Sequence, residues 1–200
     1  IVMEAYDNFC KKLEDAGAKI EDVIIDEARE KATLFPTIVG SEIISAFGRE
    51  KFLQVVDQMD PVTGIRAKLG LNVSSVEYIN AKKRIPELNS IVGGYFKKYD
   101  ALVSPTTIMQ AIEVDNSAVG TELHERSLLA SANTQPVNIF GMCAITYPIQ
   151  KFVNSESQQI LPIGLQVICN KDDDDYAVAI ALALEEEFGA PELPDVNKFI

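Results

Sequence analysis

Apolar positions along this chain alternate between helical and strand-like spacing. Tyr6, Phe9, Cys10 and Leu13 recur at helical intervals, and Gly17 follows as a C-terminal stop. Ala18 to Ile25 then reads as a strand, with Val23, Ile24 and Ile25 as its buried part. Asp26, Glu27 and Glu30 crowd the start of the next helix, where the macrodipole favours negative charge. Its pattern continues through Ile38, Ile43, Ile44 and Phe47 to Gly48, with Pro36 separating two helices or kinking one. Ser74 to Glu77 forms a capping box. The helix it starts carries Val76, Ile79, Leu88, Val92, Tyr95 and Tyr99 on or near one face, and Pro86 should bend it or end its first half. Tyr99 to Val103 reads as a short strand before Pro105, Ala111 to Glu122 as loop, and His124 to Ala132 as helix. Tyr176, Ile180, Leu184 and Phe188 at i, i+4 spacing make a last helix, with Asp172 to Asp175 at its start and Gly189 and Pro191 beyond its end.

The stretch from Thr134 to Cys169 organises the rest. Two apolar runs, Thr134–Pro148 and Leu161–Cys169, are bounded by Pro and Gly and rich in Ile, Val, Thr and Tyr, so both read as buried strands. Lys151 to Gln159 between them is almost wholly polar, as a hairpin loop would be. Gly141 and Gly164 weaken these strands unless something approaches the backbone closely there. Helices feeding strands place the chain in the layered α/β class.

Composition narrows the function. The chain has 200 residues, 47% of them hydrophobic, which suits one packed domain or a fragment of one. A net charge of -12 with no Lys/Arg cluster argues against direct nucleic-acid binding. No uninterrupted apolar run reaches membrane-spanning length and no signal pattern opens the chain, so the expectation is a cytoplasmic protein without membrane partners. The chain starts inside a helical pattern, which points to a piece of a longer protein. His124 is the only histidine, and Cys10, Cys143 and Cys169 are far apart, which leaves no zinc-like spacing. A Cys143 or Cys169 nucleophile with His124 as base stays open beside simple burial of the thiols, with His124 on a solvated face between Glu122 and Glu125. Asp172 to Asp175 reads as a helix start, not a general acid/base pair. The sequence has no nucleophile-elbow, P-loop or dinucleotide-binding glycine motif.

Several segments in order carry a resemblance. Lys97-Lys-Tyr-Asp-Ala-Leu-Val-Ser-Pro-Thr-Thr107, Thr134-Gln-Pro-Val-Asn-Ile-Phe-Gly141, Ala144-Ile-Thr-Tyr-Pro148 and Leu161-Pro-Ile-Gly-Leu-Gln166 resemble the C-terminal half of the amidase signature family. Arg66-Ala-Lys-Leu-Gly70 is similar to that family's "RxxLG" segment, and Tyr78, Ala81 and Arg84 to its following "Y…a…R" helix. The resemblance implies an α/β fold with a mixed β-sheet and helices on both faces. It divides the chain into residues 1–60, a variable part, and residues 61–200, an amidase-like C-terminal core. Cys143 stands where the family usually has Pro, and Phe140 where it has a small residue.

The resemblance also implies a chemistry whose reactive groups this chain lacks. The family uses a Lys and two Ser from its N-terminal half, one of them in a Gly/Ser-rich loop. No such loop occurs here, and Ser74-Ser75, the only serine pair, is explained by capping. The expectation is therefore an inactive C-terminal portion of an amide hydrolase, with no catalytic residue, metal or organic cofactor of its own. Its partner would be a small-molecule amide substrate, met together with the missing half. The substrate wall would include Arg66, Asn138, Phe140 and Gln166. In amidotransferase members the arginine matching Arg66 faces a substrate carboxylate; an exposed helical arginine is the other reading. An isolated half-sheet would leave an edge that invites homo-oligomers. A non-catalytic binding or scaffold protein with the same architecture is the alternative.

Overall fold

The computed structural model describes residues 1–111, 120–153 and 160–190. Its helices are α1 (Val2–Asp15), α2 (Lys31–Phe47), α3 (Arg49–Val55), α4 (Pro61–Leu69), α5 (Ser75–Gly93), α6 (Gly120–Ala130), α7 (Thr134–Phe140) and α8 (Asp174–Phe188). Its strands are β1 (Leu102–Pro105), β2 (Cys143–Val153) and β3 (Ile160–Cys169), in the spatial order β1-β3-β2. Both pairings are antiparallel, with Val103 opposite Val167 and Ile145 opposite the same residue from the other side. Helices cover both faces of this sheet, in keeping with the α/β class.

The faces follow from strand alternation. On one, Leu165, Val167 and Cys169 of β3 and Tyr147 of β2 pack against Phe9 of α1 and Ala177 and Leu184 of α8. Phe9 meets the edge of the Phe188 ring at 5.0 Å, and the Tyr147 hydroxyl donates to the Gly189 carbonyl at 2.7 Å. On the other, Leu102 and Ile168 pack with Leu88 and Val92 of α5 and Val137, Ile139 and Phe140 of α7, and Leu34 and Ile38 of α2 complete this cluster. Fully burying a side chain of Leu or Val size contributes about 1.5–3 kcal/mol, so these two clusters hold the sheet between its helical layers.

Local signals account for most boundaries. Ser74 accepts from the Glu77 amide at 3.2 Å while Glu77 accepts from the Ser74 amide at 2.7 Å, the expected capping box. Gly17, Gly48 and Gly189 end or separate helices with positive φ. Pro36 and Pro86 both lie inside helices that continue past them, so neither divides its helix.

Four expectations are corrected. Thr134–Phe140 is a helix, not a strand. Pro136 sits in its first turn, where the missing N–H is harmless, and Gly141 caps it at φ 66°. The first strand of the pair therefore begins at Cys143 and continues through Lys151 to Val153, into the span expected as loop; residues 154–159 lie outside the described set. Ala18–Ile25 is not a strand, and Ile24 is 80% exposed. Val76 and Ile79 are exposed as well, because α5 buries the face formed by Ala81, Leu88 and Val92. The loop expected at 111–122 falls largely outside the described residues, except that α6 starts at Gly120.

Candidate functional site

The expected site residues fall into two concavities and the core. Asn138 and Gln166 line one hollow of about 290 Å³, together with Thr106, Thr134 and Thr146 and the apolar Val137 and Met142. Its polar groups come from β2, β3, α7 and the residue after β1. Gln166 and Thr146 are opposed across the ladder, so both project to the same face. Thr106 and Thr146 hydroxyls are 2.5 Å apart.

A glycine explains why these groups can meet. A Cβ at Gly164 would lie 2.6 Å from Thr146 Oγ1 and 2.7 Å from Thr106 Oγ1. The close approach expected at this glycine is thus by two threonine hydroxyls. Around them the polar groups are held by backbone. Gln166 Nε2 donates to the Asn133 carbonyl at 3.4 Å, Asn133 Nδ2 donates to the Pro105 carbonyl at 2.7 Å, and the Thr106 amide donates to the Gly164 carbonyl at 2.8 Å. The described residues lining this hollow include no Lys, His, Cys, Asp or Glu. The wall offers hydrogen bonds and no group that takes up a proton near neutral pH.

Arg66 lines a second cavity, of about 360 Å³, between α2, α4, α6 and the first turn of α7. Ala32, Phe35, Pro36, Val39, Leu69 and Leu128 make it mainly apolar, and Lys31, Arg66, His124 and Gln135 supply its polar edge. Arg66 Nη2 donates to Ser127 Oγ at 2.9 Å. Arg66 Nε and His124 Nδ1 are buried there without a hydrogen-bond partner. Lys31 Nζ donates to the Ala132 carbonyl, and burial holds its ammonium below the usual lysine range. Among the described residues the lining carries two cationic side chains and no carboxylate, in a chain of net charge -12. A buried donor left unpaired favours an incoming acceptor, and an anion above all.

Phe140 joins neither hollow. It is buried in the α5–α7 core, and its carbonyl accepts from Asn89 Nδ2 at 3.1 Å. The bulky residue at this position is a packing feature. His124 is a correction in the opposite sense. Expected on a solvated face, it instead faces the Arg66 cavity from α6, one turn before Ser127 and Leu128. That helical spacing was present in the sequence; nothing comparable pointed to Lys31, Gln135 or the two threonines.

The thiol nucleophile reading does not hold. Cys143 Sγ donates to the Asn170 carbonyl at 3.1 Å, and burial first, then nearby carboxylates, pushes its pKa up. Cys169 is fully buried and pushed up to about 11, again chiefly by burial. A cysteine activated as a catalytic nucleophile at neutral pH needs the opposite shift. Among the described residues no group of His, Cys, Asp and Glu is arranged to hold a metal ion, and no helix is long and apolar enough to cross a membrane.

Comparison with known proteins gives a consistent result. Residues 1–177 match the family described as Amidase. The 2-amino-5-chloromuconic acid deaminase of Comamonas testosteroni is 26% identical over 193 residues, covering 92% of this chain and 40% of the relative. A fatty acid amide hydrolase of Oryza sativa subsp. indica is 27% identical over 176 residues, covering 85% of this chain and 28% of the relative. Among solved structures, a crystal structure of an amidase superposes with a TM-score of 0.74 at 18% identity, covering 92% of this chain and 41% of the other. A 6-aminohexanoate cyclic dimer hydrolase complexed with substrate gives a TM-score of 0.70 at 19% identity over 93% of this chain and 41% of the other. At these identities the structures share the fold. The chain spans less than half the length of the relatives it matches.

Proposed function

The chain belongs to the amidase family, and we propose that it is the C-terminal portion of an amide hydrolase whose Ser-Ser-Lys triad lies upstream of it. Amide hydrolysis is the chemistry of this family. The observation that carries the finer reading is the composition of the hollow at Thr106, Asn138, Thr146 and Gln166. It presents the amides of Asn138 and Gln166 and the mutually bonded hydroxyls of Thr106 and Thr146, and, among the described residues, no group that takes a proton from an attacking oxygen. Such a surface suits the positioning side of a site whose acyl-transfer machinery comes from elsewhere.

The reaction proposed for the complete protein is conversion of a carboxamide to a carboxylate plus ammonia or an amine. One upstream serine attacks the carbonyl carbon, and the second serine relays its proton to a neutral lysine and on to the leaving amine; water then attacks the resulting acyl-serine ester, releasing the carboxylate and returning a proton to the serine. Backbone amides of the Gly/Ser-rich loop hold the oxyanion. This chain contributes Asn138 and Gln166 as polar contacts, and Arg66 as the contact for a carboxylate borne by the substrate. Phe140 supports the wall from the core behind it. The outer strands of the described sheet, β1 and β2, are the edges through which copies would associate, and a monomer in sedimentation would remove that expectation.

Two measurements test the reading. The 200-residue chain is assayed against glutamine and benzamide, with no turnover expected; robust hydrolysis would place a nucleophile inside the chain. The reading frame upstream of Ile1 is then determined. A Gly/Ser-rich loop and a preceding lysine in frame support the enzyme. An initiator codon directly before Ile1 overturns it in favour of a non-catalytic scaffold.

A further inference from the structure

Cys143, the residue standing where the family usually has proline, has no role in the reading above. It opens β2, and Cys169 closes β3, and the two are direct partners across the antiparallel ladder. Opposed residues point to the same face of a sheet, and both cysteines reach the cluster closed by α1 and α8. Opposed Cα atoms lie about 4.5 or 5.5 Å apart, according to the hydrogen-bonding phase of the pair. Either value falls within the roughly 4.4–6.8 Å that a disulfide spans. Cys143 Sγ already reaches the far end of the partner strand, since it donates to the carbonyl of Asn170, the neighbour of Cys169. All three cysteines are free thiols, and Cys10 lies on α1, beside Tyr6.

We propose that Cys143 and Cys169 are a thiol modification site that closes reversibly into a cross-strand disulfide under a low-molecular-weight disulfide oxidant. Cys143, the more exposed of the two, reacts first. Its thiolate attacks one sulfur of the oxidant, and the other sulfur leaves with the bonding electron pair and takes up a proton. Cys169, giving its proton to solvent, then attacks Cys143 Sγ and expels the second oxidant sulfur as a thiol. Two protein thiols are oxidised and one small disulfide is reduced to two thiols. Burial of both thiols, reinforced by the negative charge of the nearby Asp173 and Asp174, pushes both pKa values up, keeps the thiolates scarce and makes the step slow at neutral pH.

The bridge ties together the two connections that flank the proposed substrate wall. Cys143 follows α7 by three residues, and Cys169 precedes α8. Thr146 and Gln166 are an opposed pair three positions along the same ladder, on its other face. Closing the ladder end fixes the register from which those two side chains project.

The test incubates the folded 200-residue chain with oxidised glutathione, quenches with an alkylating agent, and maps peptides by mass spectrometry. The expected product is a cross-link joining the Cys143 and Cys169 peptides, with Cys10 alkylated. The thermal midpoint of the oxidised chain should rise by about 5 °C and return on reduction. Cys169→Ser should stop at a glutathione adduct on Cys143. A bridge to Cys10, a persistent glutathione adduct on Cys143 of the unaltered chain, or a bridge that forms only in denaturant would each overturn the proposal. The unaltered chain alone decides among these, so a poorly folding variant does not blunt the test.

Discussion

Replacing Gly70 by alanine probes how the helical layer is assembled around the Arg66 cavity. A Cβ built there lies 2.3 Å from the Gly40 carbonyl carbon, 2.5 Å from its oxygen and 2.6 Å from the Ser41 amide nitrogen. Comfortable carbon contacts are about 3.5–4.0 Å, so the deficit exceeds about 1 Å. All three obstacles are backbone, so no side-chain rotation relieves them. The segment after α4 must move away from α2. Overpacking of this kind costs about 1–3 kcal/mol when side chains can yield, and a backbone obstacle places this substitution near the upper end. One effect opposes it. Gly70 has φ -64°, a conformation alanine adopts readily, which returns about 0.4–1 kcal/mol through the unfolded chain. The net expectation is a loss of about 2 kcal/mol, or about 4–8 °C in thermal midpoint for a chain of this size.

The assay is denaturant unfolding of the unaltered chain, Gly70→Ala and Gly17→Ala. Gly17 is the control because its Cβ would meet nothing within 4 Å, while its φ of +101° penalises alanine conformationally. It should lose about 1 kcal/mol from backbone strain alone. An unfolding midpoint for Gly70→Ala equal to or above that of the unaltered chain would refute the packing argument. The cavity provides a second readout, because Gly40 lines it beside Arg66. Displacing α2 should weaken any carboxylate contact at Arg66, whereas Gly17→Ala should leave it unchanged.

Three further outcomes are expected. In the complete enzyme, Arg66→Ala should raise KM for an acidic or glutamine-like amide about 10- to 100-fold, the equivalent of one charged hydrogen-bond set, with kcat less affected; an unchanged KM removes Arg66 from the site. Ser74→Ala should destabilise the chain by about 1 kcal/mol through loss of the α5 cap, and an unfolding midpoint within error of the parent would show that packing alone sets this helix start. Glu30 is held below the usual carboxylate range, chiefly by hydrogen bonds from Arg84. Its contribution is therefore present above the unfolded pKa of about 4.3 and is lost as pH falls through the lower folded value. Unfolding curves of Glu30→Gln and the unaltered chain should converge as pH falls below the unfolded value of about 4.3, and a gap that stays constant as the carboxylates protonate would contradict the assignment.

Much of the fold was legible because its signals are local. The Ser74–Glu77 box, the glycine stops and the i, i+4 pattern of α8 each depend on a few neighbouring residues. The errors arose where a short apolar run has two outcomes. Thr134–Phe140 has strand-like composition, yet Pro136 and Gly141 bracket a seven-residue helix, and those punctuation marks outweigh β-branching. Val23–Ile25 has strand composition too, but no described strand lies beside it to supply a hydrogen-bond ladder. The site was legible only in part, for a related reason. Arg66, Asn138 and Gln166 stood out as polar residues in patterned segments. Lys31, Thr106, Thr146 and His124 join them only through contacts made across many residues of sequence.

The motif residues divide by what they touch, and the division sharpens the functional argument. Tyr78 donates to Glu42 of α2 at 3.0 Å, Ala81 packs in the cluster that contains Leu34 and Ile38 of α2, and Arg84 pairs bidentately with Glu30 just before α2. Gly70 is in backbone contact with Gly40 of α2. These motif positions are therefore met by α2, and packing alone is sufficient reason for their residue types. Arg66 differs. It lies in the same segment, yet its Nε is buried and unpaired, and the described residues lining its cavity include no carboxylate. A structural arginine at this depth would be expected to find an acceptor for each buried donor, because leaving one unmade costs about 1–3 kcal/mol. Gln110 Nε2 is likewise buried without a partner, whereas Gln166 Nε2 donates to the Asn133 carbonyl. We propose that the unpaired Arg66 Nε, in the cavity that His124 also lines, is met by a ligand that arrives with its own acceptors.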